Sequence, residues 1–185
     1  MVGGTGYEKV SELLCSIAAQ DNFGKACCSY IGAGGAGHYV KMVHNGVEYA
    51  EMQLLAEVYQ LLRFFCQIEP EEIVSIFNTW QETNLDSYLL RITAEILSQK
   101  DGDVPFIDKV LDKAGQKGTG SWSVESAIDL GLPSSTISEA LMARYLSGMK
   151  DERVSAEKKY NLPRQTFSGD KQKFINNVRD GYRVA

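Results

Sequence analysis

From Gly37 to Phe65 apolar residues recur at helical spacing almost without interruption: Val40, Val43, Val47, Ala50, Leu54, Leu55, Val58, Leu61, Leu62 and Phe65. The pattern predicts one long helix, buried on much of its circumference. An element of that length has to be the spine of whatever it belongs to, and the other segments have to supply the surfaces that cover it. Most of them carry helical signals of their own. Pro70, Glu71 and Glu72 open a helix running to about Glu82, with proline in the first turn and acids at the positive end of the dipole. Asp86 to Gln99 is another, and Asp101-Gly102-Asp103 breaks the pattern before Phe106 to Ala114. Gly115 to Ser121 is a glycine-rich loop, Trp122 to Leu130 a short helix stopped by Gly131 and Pro133. Thr136 and Glu139 have capping-box spacing at the head of a helix carrying Leu141, Met142, Tyr145, Leu146 and Met149, which can extend into the charged run Lys150 to Lys159. Asn161 to Gly169 is a linker, and Asp170 to Tyr182 a final amphipathic helix.

Only the first 34 residues depart from this all-helical pattern. Gly3-Gly4-Thr5-Gly6 is loop-like, Glu8 to Ala19 has amphipathic helical spacing, and Ala26 to Ile31 predicts a short strand ending at the glycines that follow.

Composition narrows the function classes. The 185 residues are 44% hydrophobic and 23% charged, as expected of a soluble globular chain. No apolar run approaches the roughly 18 to 20 residues that cross a bilayer, and Met1 to Tyr7 lacks the charged and apolar regions of a signal peptide, so the expected compartment is cytoplasmic, without membrane association. A net charge of −5 argues against a nucleic-acid partner held by bulk electrostatics. An anionic ligand would need a few locally placed cations. With only His38 and His44 and no CxxC pair, no metal site is expected; Cys15, Cys27, Cys28 and Cys66 are taken as reduced thiols acting as small buried hydrophobes.

Gly32-Ala33-Gly34-Gly35-Ala36-Gly37 satisfies GxGxxG between a strand and a helix, the form of a dinucleotide-binding fingerprint. That fingerprint also requires the helix to end and a second strand to deliver an acid about 20 residues on. Here Glu57, near that distance, falls inside the long helix, which favours a hinge or tight turn between an α/β piece and the helix.

Lys41, His44, Asn45 and Glu48 stand at i, i+3, i+4 and i+7, on one face of the long helix. A solvated stripe accounts for them, since surface helices have polar faces. So does a reaction centre: a base, an imidazole, an amide and an acid together are what proton transfer on a hydroxylated substrate uses.

The pattern Gly32-x-x-Gly35-x-Gly37-x-x-x-Lys41-x-x-x-Asn45 resembles the signature of the β-hydroxyacid dehydrogenase superfamily, and the string from Gly35 to Tyr59 is similar to its 6-phosphogluconate dehydrogenase family. The likeness continues through Ala114 to Trp122, Ser126 to Pro133 and Glu139 to Arg153, in order and over nearly the whole chain. It implies a mainly α chain: a helical domain built on one long central helix over residues 35–185, preceded by a remnant of an α/β Rossmann domain over 1–34. It also implies NADP-dependent oxidative decarboxylation of 6-phosphogluconate to ribulose 5-phosphate and carbon dioxide, in a homodimer. By position Lys41 is the general base and Glu48 the general acid; His44, Asn45, Tyr49, Lys117, Thr119 and Arg144 are substrate contacts. Taken alone, Lys117 would be a loop surface residue and Arg144 a surface residue or ion-pair partner; the resemblance turns both into ligands of an anionic sugar phosphate. A base of this kind must be neutral when it acts, which burial or neighbouring cations would favour, and an acid of this kind suits partial burial. Ala50 in place of a usual glycine, Ser121 in place of a usual lysine, and the apolar Phe64-Phe65-Cys66 depart from the family pattern without removing a motif residue.

The resemblance carries one further expectation. Met1-Val2-Gly3-Gly4 resembles a segment late in the family's NADP-binding domain, so the main nucleotide site and a substrate-binding serine-glycine-glycine loop are expected upstream, and a tail reaching the neighbouring subunit downstream. The chain is then a central slice, inactive by itself, with no cofactor-binding residues of its own to name. The alternative is a truncated, non-catalytic helical module that binds sugar phosphate or pairs with full-length subunits.

Overall fold

The computed structural model of the chain describes residues 1–21 and 23–185. The long helix is there: α2 spans Ala36–Gln60 and runs directly into one turn of π-helix, Leu61–Phe65. The wider turn ends the helix, because the Cys66 N–H donates to Leu61 O and the Ile68 N–H to Leu62 O, and Gln67 follows in the left-handed region at φ 55°. The other helices, in chain order, are α1 (Tyr7–Ile17), α3 (Pro70–Gln81), α4 (Tyr88–Ser98), α5 (Thr119–Asp129), α6 (Ser135–Gly148), α7 (Lys150–Tyr160) and α8 (Lys171–Val184). Ser87 and Asp170 cap α4 and α8 by accepting from the Leu90 and Lys173 N–H groups.

The chain divides into two compact units, residues 1–48 with 116–137, and residues 49–115 with 138–185. The second unit holds the large core. Leu55, Val58 and Leu62 meet Ile73, Phe77 and Trp80 of α3, Leu90, Ala94 and Leu97 of α4, and Ile175 of α8, all buried. The spacings within α3 and α4 are those of a single helical stripe. Phe65 adds aromatic contacts to Phe167 and Phe174 at 5.7 and 5.6 Å between ring centroids. Between α4 and α5 the chain is not helical as expected. Lys100–Asp101 (β3) and Val104–Pro105 (β4) form a small antiparallel hairpin, turned at Gly102 with φ 64°, and only Phe106–Lys109 makes a 3₁₀ turn.

In the first unit, Val2–Gly3 (β1) pairs in parallel with Tyr30–Gly32 (β2). The opening glycines are therefore partly strand, and the expected strand at Ala26 to Ile31 is displaced toward the glycines. Its first half is used locally instead: Ala26 bridges Gln20 and the Cys27 N–H donates to Ala19 O at 2.7 Å. Three further boundaries moved. The glycine-rich segment yields its second half to α5, which starts at Thr119; α6 opens at Ser135, which puts Thr136 inside the first turn; and Met149 separates α6 from α7.

A tight turn leads from β2 into the long helix, with the Ala36 N–H donating to Ala33 O at 3.2 Å and Gly34 at φ 56°, and Gly37 has a separate packing role. A Cβ there would stand 2.5 Å from the Val2 carbonyl carbon and 2.6 Å from the Gly3 nitrogen, so β1 lies directly on the helix backbone. Gly37→Ala is accordingly expected to lower stability by about 1–3 kcal/mol despite alanine's better helix propensity. Gly35→Ala, where nothing lies within 4 Å, is expected to cost nothing comparable. Urea unfolding of both variants checks the contrast, and equal stabilities would refute the close-packing role of Gly37.

Candidate functional site

Because Lys41, His44 and Glu48 repeat at helical intervals on α2, the backbone alone brings them to one face, and their side chains meet there. Lys41 Nζ lies 3.0 Å from His44 Nδ1, His44 Nδ1 lies 3.2 Å from Glu48 Oε2, and Lys41 Nζ lies 3.6 Å from the same oxygen. One imidazole nitrogen thus faces both an amine and a carboxylate. It can accept from the lysine or, when protonated, donate to the glutamate, but it cannot do both with one lone pair. The arrangement can pass a proton along the face. Glu48 is partly buried, its side chain 41% exposed, as suits an acid of this kind, whereas the Lys41 side chain is 51% exposed, with Glu48 and His44 for company.

Asn45, also on α2, turns toward α5. Its Nδ2 donates to Thr119 Oγ1 at 3.3 Å. α5 is held there by Ser123, a buried hydroxyl that donates to the Met42 carbonyl at 2.7 Å, and by Gly46, where a Cβ would meet Ser123 Cβ at 3.0 Å. Sequence reasoning missed Ser123. Its only signals were its place one turn after Thr119 and the small residue opposite, neither distinctive. The turn before α5 is set by Gly118 at φ 102°, whose N–H donates to Gln116 Oε1 at 2.6 Å. Lys117 is exposed in that turn and makes no ion pair among the described residues. Tyr39 and Ser126 exchange a further hydrogen bond at 2.7 Å between α2 and α5.

In the second unit, Arg144 of α6 lies flat on Tyr49 of α2, its guanidinium carbon 3.7 Å from the ring centroid. The same group donates to the Gly115 carbonyl at 2.7 Å and reaches Met52 Sδ at 3.7 Å. Nearby, Asp112 takes both Lys150 and Arg153, at 2.5 and 2.7 Å, and those two cations hold its carboxyl far below the usual carboxylate range. Lys150 and Arg153 are thereby engaged with Asp112, whereas Arg144 presents its charge over an aromatic face.

The glycines at the start of α2 do not make a dinucleotide seat. Gly34 and Gly35 are open, with Gly34 at φ 56°, but Gly37 is filled by β1 and Glu57 sits within α2 rather than at the end of a second strand. Among the described residues no cluster of three or more His, Cys, Asp or Glu could hold a metal ion, and no helix is long and apolar enough to cross a membrane.

Residues 37–185 match the domain family described as 6-phosphogluconate dehydrogenase, C-terminal domain. The decarboxylating 6-phosphogluconate dehydrogenase of Lactococcus lactis subsp. cremoris is 52% identical over 176 residues, which are 94% of this chain and 37% of that protein. The Shigella sonnei enzyme of the same description is 49% identical over 174 residues, covering 94% of this chain and 39% of its own length. Among solved structures, Plasmodium falciparum 6-phosphogluconate dehydrogenase, determined in its apo form and in complex with NADP+ and with 6-phosphogluconate, superposes with a TM-score of 0.89 at 38% identity, over 98% of this chain and 40% of that one. The chain therefore spans well under half the length of the relatives it matches.

Proposed function

The chain belongs to the 6-phosphogluconate dehydrogenase family, and we propose that its residues supply the proton-transfer groups and part of the substrate contacts for oxidative decarboxylation of 6-phosphogluconate to ribulose 5-phosphate and carbon dioxide. The observation that carries this reading is the Lys41–His44–Glu48 face, three proton-exchanging groups within 3.6 Å of one another on a single helix. In the proposed chemistry Lys41 takes the proton of the C3 hydroxyl as that carbon is oxidised. Protonated, it then holds the new ketone oxygen, where a positive charge stabilises the electron pair left behind by departing carbon dioxide. Glu48 delivers a proton to the resulting enediol, and His44, touching both, lets the acid and base be reset. NADP is the oxidant of the proposed reaction, but the described residues do not fit it, and residues 1–34 are read as only the last part of a nucleotide-binding domain.

Asn45, Thr119 and Lys117 are proposed to contact the sugar phosphate, as are Tyr49 and Arg144. A dianionic substrate needs local cations in a chain of net charge −5, and among the described residues no acidic side chain pairs with Lys117 or Arg144. Isothermal titration of the chain with 6-phosphogluconate tests this. Lys117→Ala and Arg144→Ala are each expected to weaken binding by about tenfold or more, the usual loss for a charge-assisted hydrogen bond. Binding equally strong in both variants would remove these two residues from the site, and no binding by any form would leave the chain a helical module without a substrate role of its own.

A further inference from the structure

Of the four cysteines only Cys66 is buried as expected, and the reactive-group cluster best defined outside the Lys41–His44–Glu48 face is the charged one around Asp112. Residues 111–118 form neither helix nor strand, so the segment from Asp112 to Gly115 has no ladder of backbone hydrogen bonds to fix it. Packing does not fix its end, because a Cβ at Gly115 would meet nothing within 4 Å. Side chains of the α6–α7 junction hold it instead. The Asp112 carboxylate takes Lys150 on one oxygen and Arg153 on the other, at 2.5 and 2.7 Å. Arg153 also donates to the Asp112 carbonyl at 3.1 Å and to the Ser147 carbonyl, near the end of α6, at 2.9 Å. Ser147 completes the attachment: its Oγ accepts from the Ala114 N–H at 2.9 Å and donates to the Arg144 carbonyl at 2.7 Å. A single exposed ion pair would do little, but here one guanidinium serves a carboxylate and two carbonyls at once, so each contact constrains the next.

We propose that Asp112 is a positioning residue for Arg144: through Arg153, Lys150 and Ser147 it fixes the segment that carries the Gly115 carbonyl, and that carbonyl aims the guanidinium. Arg144 Nη1 donates to Gly115 O at 2.7 Å while the group lies on the Tyr49 ring and Nη2 reaches Met52 Sδ. Tyr49 sets the plane of the guanidinium, and a ring face leaves rotation within that plane free; the hydrogen bond to Gly115 O removes that freedom. The consequence for substrate rests on the reading of Arg144 as a sugar-phosphate contact, because an arginine already held in one orientation has less to lose when it binds an anion.

The test uses the full chain labelled with nitrogen-15 and follows the Nε–H signal of Arg144, identified by its loss in Arg144→Lys. Stacked on Tyr49, that proton is expected upfield of its ordinary position, and Asp112→Asn or Ser147→Ala should each return it toward that position. Asp101→Asn, which breaks an exposed ion pair to Lys109 of similar length, 2.6 Å, should leave it in place. Titration with 6-phosphogluconate gives the second readout. Asp112→Asn should weaken binding by about threefold or more in the wild-type chain, and by less than about twofold once Arg144 is alanine, since a residue that acts through Arg144 then has nothing to act on. An Arg144 signal unmoved by Asp112→Asn, or equal losses of affinity in the two backgrounds, would overturn the proposal. Absence of binding by every form would remove only the substrate reading, and the Arg144 signal would still decide whether Asp112 positions that residue.

Discussion

Lys41→Ala is expected to cut turnover by about a hundred- to ten-thousand-fold while leaving KM for 6-phosphogluconate within a few-fold. A base acts in the transition state, so its removal raises the barrier more than it weakens the ground-state complex. The measurement needs an assembled enzyme, and a chimera supplies one: the Lactococcus lactis protein with its matching 176 residues replaced by this chain, which is 52% identical to them. Steady-state NADPH production by the chimera gives the reference, and the same chimera with Lys41→Ala gives the effect. The contrast with Arg144→Ala is the informative part. Arg144 rests on Tyr49 and Gly115 O and has no proton to give, so its loss should appear mainly in KM. Near-normal turnover in Lys41→Ala would remove that residue from the chemistry and with it the reading of the Lys41–His44–Glu48 face.

The largest stability effect is expected at Phe77. Its side chain is fully buried between α2, α4 and Trp80, with ring centroids of Phe77 and Trp80 5.4 Å apart. Phe77→Ala removes that contact and leaves a void the helices cannot close, at a cost of about 3–5 kcal/mol. Against the 5–15 kcal/mol typical of a domain, this is enough to unfold a sizeable fraction of molecules in mild urea. Phe64, half exposed one turn from the same core, is the control, and Phe64→Ala should cost no more than about 1 kcal/mol. The comparison is read from urea midpoints followed by circular dichroism. Similar midpoints for the two variants would mean that the core is not built around Phe77.

The elements that could be read from the amino-acid order are those whose signal is local and long. Ten apolar positions over Gly37 to Phe65 leave little choice but a helix, and α3, α4 and α8 each pair a capping or first-turn signal with one apolar stripe. Two-residue strands such as β1 are shorter than any periodicity can register. The hairpin of β3 and β4 and the break at Met149 depend on backbone geometry, φ 64° at Gly102 and ψ 56° at Met149, which residue type only weakly constrains. The site divides in the same way. Lys41, His44 and Glu48 could be placed together because three, four and seven residues are neighbours on any helix. Whether Asn45 would meet Thr119, 74 residues away, was outside the reach of spacing, as was the seat of Arg144 on Tyr49. The likeness to a family pointed to these four residues one by one, and only the geometry paired them.

By itself, then, the sequence determined a mainly helical chain on one long spine, a basic–imidazole–acidic face on that spine, and the family to which both belong. Tertiary structure decided which glycine is packed rather than free and which serine ties α5 to α2. The physical reason is one of range. Helical periodicity is written in residues a turn apart, whereas a contact between distant segments exists only once packing has chosen how the backbones approach.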